Sequence, residues 1–126
     1  MCEESLKLIS IDKGYVLDIG SNDGTLLENF KKKKIPVLGV EPSKASLVAK
    51  KKNIVTINDY FNESTVNLIK KKYGNPKIIT AANVFAHIEN PNRLVKLIYK
   101  IMKNDSVFIS ESHYLGSLIK TLQYDT

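Results

Sequence analysis

The sequence predicts an α/β protein, an open parallel sheet with helices on both faces. Two observations carry this. Short runs rich in β-branched residues alternate with longer helical runs along the 126 residues, which is the rhythm of βαβ units. The short runs are also apolar at successive positions rather than at alternate ones, as strands buried between two helix layers must be. A chain of this length makes one domain.

Strands are expected at 15–18, 37–40, 54–57, 77–81 and 106–110. Helices are expected between and after them at 25–33, 44–51, 62–71, 92–102 and 114–123, with a short leading helix at 5–11. Local signals agree with these bounds. Ser43 suits the cap of the second helix, Asn90 followed by Pro91 is a cap with a first-turn proline, and Gly74 with Pro76 stops the third helix.

Composition narrows the function classes. The chain is 43% hydrophobic and 25% charged, a globular balance, and no apolar run approaches the roughly 20 residues of a membrane span. Glu3 and Glu4 stand where a signal peptide would be basic, so a cytoplasmic location is expected. A lone Cys2 makes neither an internal disulfide nor a cysteine zinc site, and no metal is expected. The net charge of +6 comes from 19 Lys+Arg against 13 Asp+Glu. The lysines gather at 31–34, 50–52 and 70–72, the ends of predicted helices, where cations complement the helix dipole. That placement, a single arginine (Arg93) and the lack of aromatics interleaved with the basic runs exclude a specific nucleic-acid partner. The basic runs are expected on the side opposite the carboxyl ends of the strands.

The informative segment is Tyr15-Val-Leu-Asp-Ile-Gly-Ser-Asn-Asp-Gly-Thr25, a buried strand that runs through a glycine turn into a helix. Ligands of open parallel sheets sit at the carboxyl ends of the strands, where the strand order reverses. Gly20 admits close backbone approach, and Gly24 feeds a helix whose first amides attract negative charge. A dinucleotide turn would need glycine at positions 22 and 25, but Asn22 and Thr25 stand there. Asp18, two residues before Gly20, is read as a carboxylate at the mouth of this turn. It would repel a pyrophosphate and suit an ammonium and sulfonium ligand, S-adenosylmethionine. The second strand leads into Glu41-Pro42, and Glu41 lies at the spacing of about 20 residues from which an acid reaches ribose hydroxyls. The third leads into Asn58-Asp-Tyr-Phe61; Asp59 is read as acceptor for the adenine amino group, with Tyr60 or Phe61 packed on the ring.

With those residues in view, the loop resembles motif I of class I S-adenosylmethionine-dependent methyltransferases. The wording Asp18-Ile-Gly-Ser-Asn-Asp-Gly-Thr-Leu-Leu27 with Gly39-Val-Glu-Pro42 is similar to the sugar C-methyltransferases that act on nucleotide-linked deoxysugars, as are Ala82-Asn-Val-Phe-Ala-His-Ile88 and Glu111-Ser-His-Tyr-Leu115 followed by Tyr124-Asp-Thr126. The resemblance implies a Rossmann-like sheet of order 3-2-1-4-5, lacking the family's usual strands 6 and 7. It implies S-adenosylmethionine as cofactor, held by Asp18, Gly20, Asn22, Gly24, Glu41, Pro42, Asp59, Tyr60 and Asn83. Asn83 and His87 match positions that face the methyl group and the sugar. The family pattern also has a cysteine-rich zinc segment before the core, a base cluster after it and a further C-terminal domain. The chain is therefore expected to be the cofactor-binding core, inactive by itself. The alternatives carried are an O- or N-methyltransferase of another small molecule and a non-catalytic binding module. A fifth strand left at the sheet edge would pair with its copy in a homodimer.

Overall fold

The computed structural model describes residues 14–82 and 90–111. Five strands are present: β1 (Val16–Ile19), β2 (Val37–Val40), β3 (Thr56–Ile57), β4 (Ile78–Ala82) and β5 (Val107–Glu111). Four helices alternate with them: α1 (Thr25–Lys32), α2 (Ala45–Lys51), α3 (Glu63–Lys72) and α4 (Pro91–Ile101). All pairings are parallel, in the order β3-β2-β1-β4-β5. The order turns back at β1, so the carboxyl end of β1 is the switch point of the sheet. The expected helices at 5–11 and 114–123 lie outside the described residues.

The central strands β1, β2 and β4 bury both of their faces. Leu17 and Ile19 of β1 pack with Leu38, Val40, Ile79 and Ala81 against Val66 and Ile69 of α3 and Leu94, Leu97, Ile98 and Ile101 of α4. Val16 and Ile78 face the other way, against Leu27 and Phe30 of α1 and Ala49 of α2. Successive side chains of a strand point to opposite faces, so Asp18 shares the α1/α2 side with Val16.

Two of the three stop and start signals stand where the sequence puts them. Asn90 caps α4 by accepting a hydrogen bond from Arg93 N at 3.1 Å, with Pro91 as its first residue. Asn62 caps α3 through Thr65 N at 3.0 Å. Gly74, with φ 79°, closes α3 by donating to Ile69 O, a left-handed stop that favours glycine. Ser43 acts one residue outside its expected place: its Oγ accepts from Ala45 N at 3.2 Å, while the residue before α2 is Lys44. β3 is shorter than expected because Ile54 N still donates to Ala49 O and closes α2, which delays pairing until Thr56.

The lysine runs do end α1, α2 and α3. One of them is not remote from the glycine turn, however. Lys52 approaches Asp23 in the loop after β1 at 3.9 Å, since Gly24 in that loop packs beside Ala49 and Ile54.

Candidate functional site

The loops after β1, β2 and β3 form one rim at the carboxyl edge of the sheet. The first turns sharply through Gly20 (φ 69°), Asn22 (φ 57°) and Gly24 (φ 83°), all in the left-handed region that glycine and asparagine tolerate best. It is anchored to β2: Gly20 N and Ser21 N both donate to Val40 O, at 2.8 and 3.2 Å. The side chain of Ser21 is buried over Gly39, where an added Cβ would lie 2.4 Å from Ser21 Oγ. Glycine at 39 is therefore what allows this loop to settle on the sheet.

Glu41 ties the first two loops together. Its Oε1 accepts from Asn22 N and its Oε2 from Ser43 N, each at 2.9 Å, and the residue is only 8% exposed. Such bonds fix the carboxylate before any ligand arrives and leave it further lone pairs. The segment that carries it is held from the other side by Asn58, whose side-chain nitrogen donates to the carbonyls of Glu41, Pro42 and Ser43 at 2.9, 3.2 and 3.1 Å. Pro42 itself is exposed between them.

Asp18 stands elsewhere than at the mouth of the turn. It is 3% exposed and accepts a hydrogen bond from Thr80 Oγ1 at 2.8 Å. The cause is register. Asp18 pairs with Thr80 on one side and Gly39 on the other, and Gly39 with Thr56, so Asp18 and Thr80 sit side by side within the sheet beneath the loops. Burial pushes the Asp18 carboxyl up to about 7, and the nearby Glu41 adds to the rise, while the Thr80 hydroxyl opposes it. Asp18 thus changes charge near neutrality, and a cation close to it would favour the ionised form.

At the end of β3, Asp59 and Tyr60 are both exposed, Tyr60 by 70%. Asp59 Oδ1 accepts only from its neighbour Tyr60 N, at 2.7 Å, among the described hydrogen bonds. Phe61 packs against the α3/α4 core, which leaves Tyr60 as the aromatic ring open to a ligand. Asn83 and His87 lie outside the described residues. Sequence reasoning missed the roles of Thr80, Ser21 and Asn58. Thr80 is the polar interruption of an apolar strand, a signal that could have found it; the other two act on partners that leave no mark in sequence.

Known proteins bear on this arrangement. Residues 2–124 match the family described as a methyltransferase domain. The chain belongs to that methyltransferase family. A curated relative is the C-methyltransferase NovU of Streptomyces niveus, 29% identical over the whole of this chain and 30% of its own length. Among solved structures, the plantazolicin methyltransferase BpumL, in complex with a triazolic desmethylPZN analog and SAH, superimposes with a TM-score of 0.67 at 20% identity. That match covers 98% of this chain and 48% of BpumL. An S-adenosylmethionine-dependent methyltransferase of Anabaena variabilis gives 0.67 at 19% identity, covering 98% and 56%. The glycopeptide N-methyltransferase MtfA, complexed with S-adenosylmethionine, gives 0.65 at 13% identity, covering 90% and 55%. These likenesses show the open parallel sheet of methyltransferases. The chain spans under a third of the curated relative and about half of the structures. Among the described residues no helix is long and apolar enough to cross a membrane.

Proposed function

We propose that the chain is the S-adenosylmethionine-binding core, over residues 1–126, of a cytoplasmic C-methyltransferase acting on a small molecule, a nucleotide-linked sugar. The observation that carries the cofactor is the Glu41 carboxylate, buried at the rim and held by two backbone N–H groups, where it suits a pair of ribose hydroxyls. The rest of the rim fits the same ligand. The glycine turn at Gly20 and Gly24 offers backbone without side chains, the buried Asp18 beneath it is an acid that a cation bound above would hold ionised, and Asp59 and Tyr60 offer an acceptor and a ring for adenine. The first turn carries Asn22 and Thr25 where a dinucleotide turn needs glycine, so NAD fits poorly.

When bound, S-adenosylmethionine supplies a methyl group on a sulfonium centre for in-line displacement. The chain's part is alignment: Glu41 and Asp59 hold the adenosine end, and Asn83 and His87 are assigned to the acceptor side. A carbon acceptor also needs a base, which in the family pattern follows this segment, so the chain alone is expected to bind without turnover. The C-methyl assignment draws on NovU, similar along the full chain. Calorimetric titration with S-adenosylmethionine, S-adenosylhomocysteine and NAD tests the reading. Binding of the two sulfur ligands alone is expected, and binding of NAD alone would overturn it.

A further inference from the structure

We propose that Asn58 is a positioning residue for the cofactor: it holds the 41–43 turn in the one curvature that aims the Glu41 carboxylate. The inference rests on the reading of Glu41 as the ribose acceptor and adds a residue to it. Three successive carbonyls, of Glu41, Pro42 and Ser43, converge on the Asn58 side-chain nitrogen at 2.9, 3.2 and 3.1 Å. A primary amide has two N–H groups, so the contacts are shared, and only the nitrogen end of the side chain can face three acceptors.

The opposite side of the same turn is held by Glu41 itself. Its Oε2 accepts from Ser43 N, while its Oε1 reaches Asn22 N in the glycine loop. Pro42 has no N–H to offer an alternative bond. The turn is therefore closed by two clamps, carbonyls to Asn58 and amide to Glu41, and both depend on its curvature. Without Asn58 the three carbonyls would turn to water, the 41–43 segment would open, and the Ser43 bond that orients Glu41 would be lost. Asn58 is anchored for this task because it directly follows β3, whose Ile57 O receives the Glu41 N–H at 2.9 Å.

The test is a double-mutant cycle read by calorimetry with S-adenosylhomocysteine on the full chain. Asn58→Ala is expected to weaken binding about tenfold in the otherwise unaltered protein and to cost nothing further when Glu41 is already alanine. Asn58→Asp keeps the shape but sets an anion against three carbonyls, so it is expected to weaken binding more than Asn58→Ala. An equal loss from Asn58→Ala in both backgrounds, or no loss in either, would overturn the proposal while leaving the ribose role of Glu41 intact. A milder effect of Asn58→Asp than of Asn58→Ala would overturn it too, by showing that the side chain only fills space. If Glu41→Ala leaves affinity unchanged, both the inference and the ribose assignment fall. Thermal melts of the variants accompany the cycle, and a loss of binding that tracks loss of the folded fraction in both backgrounds also counts against it.

Discussion

The ends of β2 and β3 each present an acid to the same rim, and the structure treats the two very differently. Glu41 is buried, and both of its oxygens accept from backbone N–H groups of two separate loops. Asp59 is exposed and accepts from the N–H of the next residue. A carboxylate already fixed by its protein partners gives up little freedom when a ligand arrives, whereas an exposed one must be ordered at that moment. Two acids that look equivalent at successive strand ends should therefore contribute unequally to binding.

The largest expected effect is at Glu41. Hydrogen bonds to a charged acceptor contribute about 1.5–3 kcal/mol each, so Glu41→Ala should weaken S-adenosylhomocysteine at least tenfold and towards a hundredfold in calorimetry. Glu41→Gln should fall between. Unchanged affinity would reduce the Glu41 bonds to a loop tie. Next comes the ground beneath that tie. Gly39→Ala sets a Cβ 2.4 Å from Ser21 Oγ and 2.9 Å from Ser21 Cβ, and such overpacking costs about 1–3 kcal/mol of stability. Denaturant unfolding would measure it, and a neutral result would mean that the β2 side is as pliant as the β3 side.

A third test sharpens the contrast from within the sheet. Asp18 has its carboxyl raised from 3.8 to about 7, so the folded protein holds a proton that the unfolded chain has released between those values. Stability from this group is complete at low pH and declines as pH rises from about 4 to about 7, by at most about 1.4 kcal/mol per pH unit. Melting curves across that window should show the decline, and Asp18→Asn should flatten it. A flat wild-type profile would show that burial does not raise this acid. The smallest effect belongs to Asp59: Asp59→Ala should cost no more than about threefold in affinity, under 1 kcal/mol. A loss larger than that of Glu41→Ala would break the comparison outright.

The fold was legible because runs of successive apolar residues and the cap residues are local signals. The order of all five strands agrees with the expectation, and the errors fall at ends, as at β3, where Ile54 is claimed by the close of α2. The site was legible in part. Glycines and acids at strand ends mark the rim, but which way an acid points depends on register. Asp18 looked like a residue of the turn's mouth, and its place opposite Thr80, 62 residues later, lies beyond any spacing rule. Asn58 was read only as part of a strand end because its partners are backbone carbonyls, which every residue has. The aromatic pair at 60 and 61 was undecided for a similar reason: only packing shows that Phe61 is taken by the core.

The seat of Ser21 on Gly39 also bears on how the sequence can change over generations. The two positions are not alike in their freedom: 21 can lose its side chain alone, whereas 39 gains one only under strain while Ser21 stands. Even the Cβ of Ser21 lies 2.9 Å from the space that a side chain at 39 requires. The least costly route to a change at 39 therefore passes through a glycine at 21. A lineage that exchanged the two would move the bare backbone from the sheet to the loop, and with it the surface on which the first turn rests.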